Sequence, residues 1–304
     1  DYYINPLFNS KYRKNHKLYI LENLTNFRFA KNIIQERHLK LLIGVDIFFN
    51  NYLCNTFPKN CKKIYIHQDI YDTPITNRKV YRELKDRLIK YDYILLPSIK
   101  SKSIFDDLGI NFYLNNIKFE YIGYFKLDLF KKIKKIRKKT NKIVIAPTNF
   151  LSFPSMSLYQ NIYKIINIIL KNSNFDVILR PHPSNFESSK IKSIINRYKN
   201  NKRFFLDKLK NYFNIYNNSD FLISDLSGTA YTYSIMTRKP VIFYSNYERN
   251  LKNLNYQKLN FFKDRKKIGY VVDNLKNLLN IINNNKKTSF RFKEKQNEII
   301  NFFY

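Results

Sequence analysis

Two of the four histidines in this 304-residue sequence stand where a ligand would be met. His67 ends the apolar run Lys63-Ile64-Tyr65-Ile66, and His182 follows the run 176–181, which stops at Pro181. In an open parallel α/β sheet, ligands bind outside the carboxyl ends of the strands. A histidine placed there works as a base near neutral pH or as a partner for phosphate. A histidine bonded to a loop carbonyl would leave the same trace in sequence. His16 and His38 have no such setting and read as surface residues.

The segment Arg180-Pro181-His182-Pro183-Ser184 is a rigid bend. Its two prolines fix φ and remove two backbone donors, which holds Arg180 and His182 at the strand end. The arginine fork suits phosphate or carboxylate. A plain strand terminator is the structural alternative. A second segment, Ser224-Asp225-Leu226-Ser227-Gly228-Thr229, follows a strand and opens a helix. Ser227, Gly228 and Thr229 are small enough for close backbone approach, and the helix start aims N–H groups and a positive dipole end at an anion. An ordinary helix cap by Ser227 or Thr229 is the alternative. Pro147 and Thr148, at the end of the first strand of the second half, are expected on the same cleft. Asp69 and Asp72, close behind His67, are placed to bind a hydroxyl or orient the ring. No Walker A pattern, dinucleotide fingerprint, Asp-x-Asp pair or zinc constellation occurs, so neither a metal nor a cofactor is expected.

Positioning these residues requires strands alternating with helices. Strand-like runs are read at 17–23, 41–49, 63–67, 91–98, 119–124, 142–148, 176–183, 203–207, 220–225 and 239–245. Helical spacing is read at 27–38, 78–90, 100–108, 157–171, 191–199, 211–217 and 229–236, and one or two amphipathic helices are read over 274–304. Such alternation predicts parallel sheets flanked by helices. The fold class expected is α/β, two Rossmann-like domains facing a cleft. The N-terminal domain is expected over 1–135, and a C-terminal donor domain over 136–304, with the tail helices 274–304 crossing back.

Hydrophobic residues make up 44% of the chain, enough for a sizeable core, and the formal net charge is +32. That excess points to anionic company: nucleic acid, an acidic membrane surface or a polyanionic substrate. The abundance of Lys, Asn, Ile, Tyr and Phe is also what an AT-rich coding sequence writes. The run 131–142 is the densest in charge, and reads as a solvated linker or as a patch facing phosphate or membrane. Cys54 and Cys61 are the only cysteines, which fits a reducing cytoplasm. No apolar run reaches the ~20 residues of a membrane span, so any membrane contact is expected to be peripheral. The basic residues are not interleaved with an RNA-stacking motif, and nucleic acid is not the expected partner.

Six segments in order resemble the CDP-glycerol glycerophosphotransferase family of teichoic-acid and capsule polymerases. They are His67-Gln68-Asp69-Ile70-Tyr71-Asp72-Thr73-Pro74, Gly123-Tyr124-Phe125-Lys126-Leu127-Asp128, Ile145-Ala146-Pro147-Thr148, Arg180-Pro181-His182-Pro183, Ser224-Asp225-Leu226-Ser227-Gly228, and Lys239-Pro240-Val241-Ile242-Phe243-Tyr244. Gln68 stands where the family has glycine, and Lys126 where it has arginine. The resemblance implies a GT-B fold and transfer of glycerol phosphate from CDP-glycerol to a hydroxyl of a glycan or polyol-phosphate acceptor, lipid-linked or polymeric. It implies His67 as general base, His182 and Arg180 on the donor phosphates, and Ser224, Asp225, Ser227, Gly228 and Thr229 around the pyrophosphate. It also implies a bacterial enzyme on the inner face of the cell membrane. Two other readings stay open: a GT-B transferase using a CMP- or UDP-sugar, and a non-catalytic polyanion-binding protein.

Overall fold

The computed structural model describes residues 41–44, 62–67, 86, 88–107, 114–124, 127–128, 130, 139–150, 154–209, 211–248, 259–284 and 292–301. The chain divides into two units, Asp1–Gln68 with Ile75–Leu129, and Asp69–Pro74 with Phe130–Tyr304. The expected elements at 17–23 and 27–38, most of the helix at 78–90, and residues 131–138 of the basic run lie outside the described residues.

In the first unit, β1 (Leu41–Gly44), β2 (Lys62–Ile66), β3 (Tyr93–Leu96) and β4 (Lys118–Tyr121) form one parallel sheet in chain order. Asp92 fixes the entry to β3: its carboxylate accepts the Lys63 N–H at 2.7 Å, and its own N–H donates to the Lys63 carbonyl at 2.8 Å. The helix α1 (Ile99–Asp107) follows β3 and buries Phe105, while Ile94 and Leu96 point inward from the strand.

The second unit holds a six-stranded parallel sheet built from β5 (Lys142–Ile145), β6 (Asp176–Leu179), β7 (Phe204–Leu206), β8 (Phe221–Ser224), β9 (Val241–Tyr244) and β10 (Gly269–Val272). Their spatial order is β10-β9-β8-β5-β6-β7. The chain starts in the centre, builds outward through β6 and β7, and returns to lay β8 against the other side of β5. This is the 3-2-1-4-5-6 order of dinucleotide-binding sheets, with its switch point between β5 and β8. Its strands are apolar on both faces because helices cover both: β8 and β9 are buried at every residue, as parallel sheets require.

The helices are α2 (Ile162–Asn172), α3 (Ser189–Tyr198), α4 (Phe213–Asn217), α5 (Thr229–Thr237), α6 (Asn260–Ile268), α7 (Leu275–Asn283) and α8 (Lys293–Ile300). In α2, Ile162, Ile165, Ile166 and Ile169 recur at helical spacing and are all fully buried. Truncating one of them to alanine would cost about 2–5 kcal/mol. The helix α5 differs, because every residue from Ala230 to Met236 is buried. It has no solvent face, being packed against β8 and β9 and against α4 and α8. The tail helices α7 and α8 lie on α2 and on α5 and α6, respectively.

Two local readings change. The single helix expected over 157–171 is a 3-10 turn at Leu158–Gln160 followed by α2, with the break at Asn161. The Leu158 N–H is drawn to the Asp225 carboxylate at 2.8 Å and the Tyr159 N–H to the Ser157 hydroxyl at 3.3 Å, which pulls the first turn off the helix axis. The second change is at β10 and α6, which the sequence did not reveal. Gly269 opens β10 against the backbone of β9, where a Cβ would stand 2.0 Å from the Val241 carbonyl oxygen. Only glycine allows that approach.

Candidate active site

The loops leaving β5, β6, β8 and β9 meet along the carboxyl edge of the second sheet. The Arg180 N–H continues the ladder to the Ile145 carbonyl at 2.9 Å. The Arg180 guanidinium then turns back. Its Nη1 donates to the Asp207 carboxylate and, at 2.9 Å, to the Leu209 carbonyl, and the cation lies over the Tyr212 ring, 5.5 Å from its centroid. The Asp207 side chain is 1% exposed and that of Arg180 15% exposed. Arg180 is therefore a cation held from behind by a buried anion, rigid but partly neutralised.

His182 caps the 3-10 turn Pro183–Asn185. Its Nδ1 accepts the Ser184 N–H at 3.3 Å, and its carbonyl accepts the Asn185 N–H at 2.8 Å. An imidazole nitrogen that accepts carries no proton, so this geometry assigns the hydrogen to Nε2. Burial pushes the ring's pKa below its ordinary 6.5. His182 thus presents a neutral N–H donor rather than a charge. Asn185, which the sequence reading passed over, is fully buried. Its side chain receives the Phe150 N–H at 3.3 Å and donates to the Asn149 side chain at 3.0 Å, tying the β6 loop to the β5 loop.

The loop after β8 is organised around Asp225, which is fully buried. One carboxylate oxygen accepts the N–H groups of Thr148 (2.8 Å) and Leu226 (2.7 Å), and the other accepts that of Leu158 (2.8 Å). Burial pushes the carboxyl's pKa up from its ordinary value, against these three bonds and one from the Ser157 hydroxyl. Burial, reinforced by the Asp225 charge, also holds the Tyr159 and Tyr247 phenols protonated far above their usual range. The Ser224 hydroxyl donates to the Ala146 carbonyl at 2.7 Å. The side chains of Ser224 and Asp225, expected around a pyrophosphate, are thus turned inward and shape the edge instead. Pro147 and Thr148 are buried in the same junction.

Beyond Asp225 the chain enters α5. Its N-cap is Gly228, and no side chain caps it. The cap that Ser227 or Thr229 was placed to supply is absent, because the Thr229 hydroxyl bonds the Tyr216 hydroxyl instead. With no side-chain cap, the Ala230 and Tyr231 N–H groups turn back to the Ser227 and Gly228 carbonyls, each at 3.1 Å, and the positive dipole end of α5 attracts an anion. Glu248, on the loop after β9, pairs with Arg265 of α6: Nη2 donates to one carboxylate oxygen at 3.2 Å and Nη1 lies 2.8 Å from the other, an ion pair also missed in the sequence.

In the first unit, His67 follows β2 at the carboxyl edge of that sheet. Its N–H donates to the Leu95 carbonyl at 2.9 Å, and its Nδ1 lies 3.2 Å from the Tyr65 hydroxyl. The ring is 3% exposed, edge-on to Tyr65 and Phe105. Asp69 and Asp72 lie outside the described residues. Gly123 has φ of 78°, a conformation that favours glycine, and so fixes the turn that leads to buried Tyr124. Among the described residues, no cluster of three or more His, Cys, Asp or Glu could hold a metal ion.

The profile of the CDP-glycerol:poly(glycerophosphate) glycerophosphotransferase family matches residues 62–303. The chain belongs to this family. No curated protein matches it. Among solved structures, the wall teichoic acid polymerase TagF is 17% identical, with a TM-score of 0.54 over 81% of this chain and 64% of that one. The chain therefore spans less than two thirds of the TagF chain. S. aureus MnaA bound to UDP is 13% identical, with a TM-score of 0.56 over 95% of this chain and 78% of that one. The UDP-GlcNAc 2-epimerase of Methanocaldococcus jannaschii is 13% identical, with a TM-score of 0.53 over 90% and 78%. At these identities the likeness is one of fold, and it agrees with the α/β class expected for the glycerophosphotransferase family.

Proposed function

We propose that this glycerophosphotransferase-family chain moves a glycerol-phosphate-type group from a CDP-activated donor to a hydroxyl of a cell-surface glycan or teichoic-acid- or capsule-like polymer. The observation that carries this reading is the N-terminus of α5, which has no side-chain cap and sits beside the switch point of a 3-2-1-4-5-6 sheet. In such sheets ligands bind outside the carboxyl ends of the strands at the switch point, and a helix N-terminus there favours a phosphate.

In the proposed reaction the acceptor oxygen attacks the phosphorus that bears the polyol. The bond from that phosphorus to the CMP oxygen breaks, CMP leaves, and the acceptor proton passes to His67. Ser227, Gly228 and Thr229 line the phosphate end of α5, His182 donates through Nε2, and Arg180 offers the charge that Asp207 leaves unneutralised. Phosphoryl transfer needs mainly positioning and charge stabilisation, and these groups supply both. The same proposal places the enzyme at the cytoplasmic face of the membrane as a peripheral protein, with a lipid-linked or polymeric acceptor. Among the described residues no helix is long and apolar enough to cross a membrane.

The fold likeness to UDP-binding proteins keeps a nucleotide-sugar transferase as the second reading. A donor screen separates the two. CDP-glycerol, CDP-ribitol, CMP-sugars and UDP-sugars are compared by thermal shift and by release of CMP or UDP, on wild type, His67→Ala and His182→Ala. We expect stabilisation by a cytidine donor and loss of turnover by about 10²–10⁴-fold in His67→Ala. Stabilisation by a UDP-sugar alone would move the chain to sugar transfer. No response to any nucleotide would remove the enzyme reading and leave a polyanion-binding protein.

A further inference from the structure

The two flanks of the carboxyl edge of the second sheet are built with opposite sign. On the side of β6 and β7, a buried anion stands behind a partly exposed cation: the Asp207 side chain is 1% exposed and that of Arg180 15%. On the side of β9, a buried cation stands behind a partly exposed anion: the Arg265 side chain is 4% exposed and that of Glu248 31%. The switch point lies between the two, since the sheet runs β9-β8-β5-β6 there.

Glu248 belongs to that edge by its connections. The strand β9 pairs with β8, Phe243 opposite Ser224, so the loop after Tyr244 leaves beside the loop that opens α5. Ser245 is fully buried and anchors the start of its loop by donating its N–H to the Val272 carbonyl at 2.7 Å. The Ser245 hydroxyl donates to Glu248 Oε1, and Arg265 Nη2 donates to Oε2 at 3.2 Å. The Arg265 guanidinium is itself held over the rings of Phe262, at 4.9 Å, and Phe243, at 5.8 Å. Buried in this way, the arginine acts on Glu248 rather than on a ligand.

An ionised carboxylate offers about four acceptor positions on its two oxygens. Ser245 and Arg265 each donate to one oxygen, which leaves acceptor capacity on the exposed side of both. A bare carboxylate beside a pyrophosphate would repel it. Arg265 offsets that charge, so Glu248 can accept hydrogen bonds close to an anionic ligand. A group that only accepts selects ligand groups that donate. Two neighbouring acceptor oxygens therefore suit two neighbouring hydroxyls.

We propose that Glu248 is a specificity-determining residue that binds a vicinal diol of the donor, oriented by Ser245 and Arg265. The inference rests on the transferase reading above and deepens it, since CDP-glycerol carries such a diol at each end, in its ribose and in its head group. Arg180 and Glu248 then divide one ligand between them: the cation side takes phosphate and the anion side takes hydroxyls.

The test is isothermal titration calorimetry of the full chain with CDP-glycerol, with the CDP ester of 1-propanol, which lacks the head-group diol, and with 2′,3′-dideoxy-CDP-glycerol, which lacks the ribose diol. Wild type, Glu248→Gln and Glu248→Asp are compared. We expect Glu248→Gln to bind CDP-glycerol about 10–100-fold more weakly than wild type, and to bind one of the two diol-deleted ligands as well as wild type does. That ligand names the source of the diol: the propanol ester assigns Glu248 to the head group, and the dideoxy compound assigns it to the ribose. Equal weakening for every ligand overturns the proposal, because Glu248 would then support the loop without reading hydroxyls. Unchanged affinity for CDP-glycerol overturns it as well. Should Glu248→Gln fail to fold with Arg265 left unpaired, Glu248→Asp keeps the charge, withdraws it by one methylene, and decides by the same comparison among ligands. If wild type binds CDP-glycerol and the variants match it, this inference alone fails; if wild type binds none of these ligands, the transferase reading fails and this one falls with it.

Discussion

Asp225 and Lys239 do the same job with opposite sign at the two ends of one sheet. At the carboxyl edge, the Asp225 carboxylate gathers three backbone N–H groups from three segments of chain. At the amino edge, the Lys239 ammonium gathers two backbone carbonyls, those of Asn217 (2.7 Å) and Ser219 (2.6 Å), where α4 ends and the chain turns toward β8. Asp220 assists there by accepting the N–H groups of Thr140 (3.0 Å) and Asn141 (2.8 Å). A helix end leaves carbonyls without partners, so a cation serves at α4. The loops beyond β5 and β8 instead turn N–H groups inward, so an anion serves there. The difference teaches how this edge is prepared: Asp225 fixes the loops internally, and the start of α5, with its positive dipole end, is left without a side-chain cap.

The comparison breaks most visibly at Asp225. Asp225→Ala strips partners from three buried N–H groups, each worth about 1–3 kcal/mol. We expect an unfolding free energy lower by about 4 kcal/mol in chemical denaturation, with donor binding lost as the loops relax. A loss under about 1 kcal/mol would show that Asp225 is not the organiser of that edge.

The counterpart at Lys239 is read through pH. Burial pushes its pKa down from 10.5 to about 8, with Asp220 opposing. Because the folded value lies below the ordinary one, the unfolded chain binds more protons between them, and stability rises with pH across that window. The contribution is full above about 10.5 and lost as pH falls through about 8. At about 1.36 kcal/mol per pKa unit, wild type should gain about 2–3 kcal/mol relative to Lys239→Met between pH 7.5 and 10. Parallel stability curves for the two proteins would contradict this.

The smallest effect sharpens the comparison within the ligand edge. Burial holds the His182 pKa below 6.5, so its neutral ring stabilises the fold fully above 6.5, and that contribution is lost as pH falls through the lower folded value. The advantage of wild type over His182→Gln should shrink as the pH falls from 7.5 to 5. A constant advantage would mean that the ring's protonation is not linked to the cap on Ser184.

Strand runs such as Lys142–Ile145, Asp176–Leu179, Phe221–Ser224 and Val241–Tyr244 were legible because a strand covered on both faces is apolar throughout. The placement of His182 and Gly228 followed from those strand ends. The strand β10 was hidden by its opening glycine, and α6 by a lysine-rich face. Asn185 could not be found locally, since its partners Asn149 and Phe150 lie 36 and 35 residues away. The inward turn of Asp225 was equally hidden, because sequence marks an acidic residue after a strand as ligand-facing without showing which backbone groups need it more.

The switch point also sets a timetable. The central strand β5 pairs with β6 at Lys142↔Asp176, but its other neighbour, β8, begins at Phe221 opposite Ile143. During synthesis β5, β6 and β7 can assemble as a half-sheet while the inner edge of β5 still awaits β8. Pairing across such a separation is slow and exposes an unsatisfied apolar edge in the meantime. A nascent chain paused before residue 221 is therefore at its most aggregation-prone, and the β5–β8 closure that completes the proposed phosphate site is also the step that ends that exposure.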